Sequence, residues 1–274
     1  MSPIITLTTD FGLTDAYVAA MKAVILGINP EVTLIDICHT INPQDIAQAA
    51  FILGTAYQYF PKGTSHLVVV DPGVGSQRRA VILRTPSADF IAPDNGVLSY
   101  VIREALPEVT EDNQPNELGP GLEAFAITNS RFWRTPVSPT FHGRDIFAPV
   151  TAHLSLGRSP ANFGEKLTSL STLPLTRPHR EPDGSVVGHI LHIDGFGNLI
   201  TDITCQELPS KGMLLNIFIG DQIIRGLSRT YTEGKELLAL IGSSDRLEIS
   251  VKGGNAHSLL NTEVGDEVRV SPQG

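Results

Sequence analysis

The hydrophobic and polar positions of this chain follow two rhythms, one running to residue 156 and another after Gly184. Short runs rich in β-branched residues at 4–8, 33–37, 65–70 and 81–85 have the length of strands. Between and beyond them, apolar residues recur at three- and four-residue spacing. That spacing puts them on one helix face and predicts helices over 15–26, 45–57, 97–105 and 146–156. Strands alternating with helices form a mostly parallel sheet covered by helices, because a parallel crossover needs a connection long enough to hold one. Residues 107–121 (PEVTEDNQPNELGPG) interrupt the rhythm with an acidic, proline- and glycine-rich stretch that reads as a surface loop.

Pro160, Pro174, Pro178 and Pro182 punctuate a stretch with little periodicity, which reads as a connection between domains. After it, β-rich runs recur at 186–193, 199–203, 214–219, 222–226, 237–241, 247–251 and 267–271, separated by turns and without a strong helical pattern. Such a series predicts a small all-β barrel or sandwich. The expected architecture is an amino-terminal α/β domain over 1–160, a linker over 161–184 and a carboxyl-terminal β-barrel domain over 185–274.

Composition narrows the classes. With 41% hydrophobic and 18% charged residues, the chain has the make-up of a soluble globular protein. Its formal charge of −9, from 20 Lys and Arg against 29 Asp and Glu, argues against a nucleic-acid partner or an anionic membrane surface. No apolar stretch is long enough to span a membrane, and the amino terminus runs into a strand-like segment without a leader pattern. Cys38 and Cys205 lack metal-ligand spacing and fit a reducing compartment, so the expected location is cytoplasmic.

Candidate chemistry concentrates at strand ends. Asp71-Pro72-Gly73-Val74-Gly75-Ser76-Gln77-Arg78-Arg79 follows the apolar run 67–70, where α/β proteins bind ligands in the crevice beyond the strand. Arg78 stands where a GxGxxG fingerprint requires glycine, and no GxxxxGK[ST] occurs, so both nucleotide signatures fail here. Arginine cannot act as a base and instead holds an anion or orients a carboxylate. Asp10 closes the first strand, where a carboxylate can accept both hydroxyls of a ribose diol, and Thr14 or Asp15 can cap the following helix. His142, in Thr140-Phe141-His142-Gly143-Arg144-Asp145, is the best candidate for handling a proton near neutrality. Asp194-Gly195-Phe196-Gly197-Asn198 combines a ring able to stack on a heterocycle with an amide able to read a purine edge. Each segment also has a plain structural explanation: a helix cap, a strand-end ion pair or a hairpin turn. His39 and Asp45 beside Asp10 and Asp71 lack ligand spacing, so no metal site is expected.

The order of these segments is more specific than any one of them. TLTTDFG (6–12), HTINPQDIAQAAFIL (39–53), VVVDPGVGSQRR (68–79), APDNG (92–96), TFHGRDIFAPV (140–150), DGFGNLITDI (194–203) and the serine- and glycine-bearing stretch 243–256 together cover nearly the whole chain. In this the chain resembles the S-adenosyl-L-methionine (SAM) hydroxide adenosyltransferases. These are adenosine-forming SAM hydrolases, similar to the halide-using fluorinases and chlorinases. The resemblance implies an α/β domain, a β-barrel domain and a homotrimer, with SAM between one subunit's amino-terminal domain and a neighbour's carboxyl-terminal domain. It implies that Asp71, Arg78 and His142 position and activate water and that Asp10 holds the ribose diol. Phe196, Asn198 and Ala256 then contact adenine, with Tyr231 as a stacking partner. Asp15, Asp194, Ser243 and Ser244 contact the methionine part. SAM is the substrate, and no cofactor or metal is implied.

The expected reaction is attack of water or hydroxide at C5′ of SAM, giving adenosine and L-methionine, with the base left open between Asp71 and His142. Two other readings follow from the same residues. In halide-using relatives a tyrosine stands at the position matching Asp71, and a carboxylate there repels a halide, which favours water. A non-catalytic adenosyl-binding protein keeps Asp10, Phe196 and Asn198 but has no need of the Asp71, Arg78 and His142 set. Ser244 departs from the arginine found at that position in fluorinases, which bears on how the methionine carboxylate is held.

Overall fold

The computed structural model describes residues 2–105, 118–209, 214–233 and 236–273. The chain divides into two compact units at Leu173 and Pro174.

The first unit is a three-layer α/β structure. Its strands are β1 (Ile4–Thr9), β2 (Thr33–Cys38), β3 (Thr64–Val69), β4 (Ala80–Arg84), β5 (Ala88–Pro93), β6 (Glu123–Ala126) and β7 (Lys166–Leu167), in the order β2-β1-β3-β5-β4-β6-β7. The pairs β2–β1, β1–β3 and β3–β5 are parallel and the remaining three are antiparallel. Five strands (β1, β2, β3, β5 and β6) therefore share one direction, against β4 and β7, so the expected mostly parallel sheet is present. Alternating residues feed two cores. Ile5, Leu7, Leu67, Val69, Ile82 and Ile91 point to helices α1 (Tyr17–Ile28) and α4 (Ala148–Ser155). Val68, Val70, Val81, Leu83, Phe90 and Ala92 point to α2 (Ile46–Ala56) and α3 (Ser99–Glu104). β3 is buried along its whole length, as a strand covered on both faces must be.

The elements depart from the sequence reading at their edges. α1 starts at Tyr17 with Ala16 before it and no side-chain cap, so neither Thr14 nor Asp15 caps it. Asp45 does cap α2, accepting the Gln48 N–H at 2.9 Å. The sequence reading missed β5, whose run 88–93 ends in proline and resembles a turn approach. Residues 161–173, read as linker, carry the fully buried Phe163, the buried Leu170 and edge strand β7. Most of the excursion at 107–121 lies outside the described residues.

The second unit is antiparallel throughout: β8 (His179–Arg180), β9 (Val186–Ile193), β10 (Leu199–Thr204), β11 (Leu215–Ile219), β12 (Gln222–Arg225), β13 (Leu237–Ile241), β14 (Arg246–Val251) and β15 (Glu267–Pro272). The order β12-β11-β15-β9-β10-β14-β13 curls into a barrel-like sheet, with β8 added on β9. Inward residues alternate along β11, where Leu215, Ile217 and Ile219 enter the single core. A short helix, α5 (Ala256–Leu260), also packs on that core through Ala256. No helix among the described residues is long and apolar enough to cross a membrane.

Candidate active site

β3 runs out through Val70 into Asp71, and the Asn95 side-chain amide donates to the Val70 carbonyl at 2.9 Å, fixing the residue before the acid. The loop that follows turns back at Gly75, whose φ is +77°. A Cβ there would lie 2.5 Å from the Pro139 carbonyl oxygen, so glycine alone lets this loop lie against the segment leading to His142. Arg78 is thereby brought onto both groups. Its Nε donates to Asp71 Oδ1 at 2.8 Å and to Oδ2 at 3.0 Å, and its Nη2 donates to Oδ2. The same Nη2 lies 3.2 Å from His142 Nδ1, and the guanidinium lies over the Phe147 ring, 5.1 Å from its centroid. The Asp71 and Arg78 side chains are only 5% and 11% exposed, so the pair is largely removed from water.

His142 leads into a π turn, Gly143–Phe147, closed by the Ala148 N–H on the Gly143 carbonyl. Fully buried Asp145 ties this turn down: it accepts the Ser138 N–H at 2.9 Å, Arg144 at 2.7 and 2.8 Å, and Arg134 at 3.3 Å. Burial, reinforced by the Arg78 charge, lowers the His142 pKa from its ordinary value, against the opposing pull of Asp71 and Asp145. The imidazole is therefore neutral at neutral pH. Because arginine has no acceptor, His142 Nδ1 accepts from Arg78, which assigns the ring proton to Nε2.

A cavity of about 380 Å³ opens on this cluster, with Asp71, His142, Asp10, Gln44, Tyr17 and Phe141 on its wall. Arg78 stands behind the wall. Phe11, Tyr17 and Phe141 form an aromatic group with centroids 5.2–5.8 Å apart, Phe141 meeting the other two rings edge-on. Asp10 Oδ2 accepts the Gln44 backbone N–H at 2.8 Å, and Oδ1 accepts no hydrogen bond among the described residues. Gln44 itself has a φ of 68°, rare for a residue with a side chain and concentrated at ligand sites. The sequence reading missed it, since PQD before a helix signals only a turn. Asp15 is exposed on the loop between β1 and α1, outside this wall.

In the second unit, Asp194, Phe196, Asn198, Tyr231, Val251, Gly253 and Gly254 line a cavity of about 460 Å³. Asp194 organises its own turn: Oδ1 accepts the Phe196 and Asn198 N–H groups, and Oδ2 accepts the Asn198 amide, each at 2.9 Å. Asn198 is thus held with its carbonyl oxygen unclaimed by Asp194, while Phe196 is 78% exposed. The Tyr231 hydroxyl donates to Glu248 at 2.7 Å, and burial together with that carboxylate pushes the phenol up to about 12. Ala256 is fully buried in the barrel core. Ser243 and Ser244 form the turn between β13 and β14, outside the cavity wall. Among the described residues, no group of three His, Cys, Asp or Glu is placed to hold a metal ion.

Residues 5–164 match the SAM hydroxide adenosyltransferase N-terminal domain, and residues 188–269 match the SAM hydroxide adenosyltransferase C-terminal domain. The chain belongs to the SAM hydroxide adenosyltransferase family. Within that family it is 35% identical, over 98% of each chain, to a protein from Salinispora tropica named (R)-S-adenosyl-L-methionine hydrolase. It is 30% identical to a fluorinase from Nocardia brasiliensis, over 77% of this chain and 74% of the other. A solved structure of an uncharacterized conserved protein from Thermotoga maritima superposes with a TM-score of 0.85 at 34% identity, covering 97% of this chain and 99% of that one.

Proposed function

We propose that this SAM hydroxide adenosyltransferase hydrolyses SAM by in-line attack of water at C5′, releasing adenosine, L-methionine and a proton. The observation that carries the reading is the joining of Asp71, Arg78 and His142 in one cluster at a cavity. The sulfonium leaves as a neutral thioether and needs no acid, so the demand falls on the nucleophile. A base that takes the water proton as the C–O bond forms contributes ~10²–10⁴-fold. Asp71 is that base: His142 Nδ1 is already engaged by Arg78, so its Nε2–H donates to the water oxygen while Asp71 accepts the proton. Arg78 holds both groups and balances the carboxylate charge.

In this reading SAM is the substrate, and no metal or organic cofactor takes part. Asp10 receives the ribose diol. Phe196, Asn198, Tyr231 and Ala256 receive adenine, and Asp15, Asp194, Ser243 and Ser244 face the methionine part. The working assembly is a cytoplasmic homotrimer in which one subunit's amino-terminal unit and a neighbour's carboxyl-terminal unit share each SAM. The separation of the water-handling and adenine-type residues onto different units supports this.

The test is incubation with the separated (R) and (S) sulfonium epimers of SAM, following products by chromatography. Equimolar adenosine and methionine are expected, with the (R) epimer preferred, given the names of the relatives. Stoichiometric binding without products would sink the proposal, and a halide-dependent 5′-halo-adenosine would move the protein to the fluorinase reaction. Asp71→Ala and His142→Ala are expected to lower kcat by about 100-fold or more, with KM changed far less. Because a side-chain amide can still donate to water, His142→Gln should retain more activity than His142→Ala. Equal inactivity of the two would return the base role to His142.

A further inference from the structure

Glu248 sits in the middle of β14, opposite Ile200 of β10 on one side and Leu240 of β13 on the other, and is 6% exposed. Its Oε1 accepts two neutral hydroxyls, Tyr231 at 2.7 Å and Ser250 at 3.0 Å. Room for the other oxygen comes from Gly242, where a Cβ would lie 2.5 Å from Oε2. The carboxylate is therefore fixed by a doubly paired strand, by a neighbouring serine and by the absence of a side chain at Gly242.

Tyr231 has the opposite character. It lies in the connection between β12 and β13, outside any strand, and its residue is 48% exposed on the wall of the second cavity. A half-exposed ring on a loop loses rotational freedom when a ligand stacks on it, and ordering it beforehand removes that cost from binding. Hydrogen bonds to a charged acceptor are the stronger kind and suit this task.

We propose that Glu248 is a positioning residue for the adenosyl pocket: its carboxylate, set rigidly in β14, holds the Tyr231 hydroxyl and so keeps the ring as the wall on which a planar heterocycle stacks. This rests on the reading that the second cavity receives the adenosyl group. Glu248 acts only through Tyr231 and has no part in the attack at C5′.

Steady-state kinetics with SAM on four single variants and one double variant test the idea. Tyr231→Phe removes only the hydroxyl and is expected to raise KM about fivefold to tenfold, with kcat within about twofold of the parent. Glu248→Ala should give the same rise, and the double variant Tyr231→Phe with Glu248→Ala should be no worse than either single, because both remove one interaction. Glu248→Gln keeps an acceptor oxygen and should restore most of the affinity. The inference is overturned if Glu248→Ala raises KM while Tyr231→Phe does not, or if the two effects multiply. Tyr231→Ala separates the layers of the argument. If it leaves KM unchanged, the adenosyl reading of the cavity fails and Glu248's role with it. If it raises KM while Glu248→Ala does nothing, only the role of Glu248 fails.

Discussion

At the scale of single residues, the contact between Arg78 and His142 has a consequence for pH. A protonated His142 would present an N–H from Nδ1 to a guanidinium that can only donate, so protonation breaks the cluster. Since burial and Arg78 lower the His142 pKa, the midpoint of the fall in kcat towards acid pH should lie below 6.5, the ordinary histidine value. A histidine titration followed by NMR checks the cause: in Arg78→Gln the midpoint of His142 should rise, because one of the two influences that lower it is removed while those of Asp71 and Asp145 remain. A midpoint that stays put or falls would contradict the account. Asp71, Arg78 and His142 were each legible in the sequence as candidates, but nothing in residue spacing says that Arg78 would touch both others. The contact depends on Gly75 packing against the Pro139 carbonyl. Gln44 was not legible, because the partner of its backbone N–H, Asp10, lies 34 positions away in sequence.

At the scale of elements, two features of the first unit make separate predictions. His66 lies fully buried in β3, bonded through Nδ1 to Thr6 Oγ1 at 2.8 Å and stacked on Phe90, and burial lowers its pKa to about 4. The unfolded chain binds a proton near 6.5, so the folded state loses stability as pH falls from 6.5 to 4, by about 3 kcal/mol in all. Replacing both partners, His66→Leu with Thr6→Val, should flatten that stretch of a Tm-against-pH curve; an unchanged slope would place the acid sensitivity elsewhere. The π turn at 143–147 holds one more residue per turn than an α-helix would. Deleting one residue from it should produce a regular helix but rotate His142 by about 100° relative to α4, disconnecting it from Arg78. The expected variant remains folded by circular dichroism and has lost turnover. Helix and strand periodicity made β1 to β4 and α1 to α4 readable. It could not reveal the π turn, whose sequence continues the apolar pattern of α4, nor β7, whose two residues are too few for a pattern.

At the scale of the whole molecule, the proposed trimer predicts that specific activity falls on dilution as the assembly dissociates, in step with the mass measured by light scattering. Activity that persists in a monomer would contradict sites shared between subunits. On the proposed function, the division at Leu173 and Pro174 also separates two kinds of selectivity. In the proposed mechanism, the unit ending at Leu173 carries the groups that choose the nucleophile, and the unit beginning at Pro174 carries those that face the nucleobase. Because each unit buries its own core, a change in base preference need not disturb the packing around Asp71, and a change of nucleophile need not disturb Tyr231. The family could then diversify along two independent axes, one altering what attacks the sulfonium nucleoside and the other altering which nucleoside is admitted. Chimaeras joined at this boundary would inherit their chemistry from one parent and their base preference from the other.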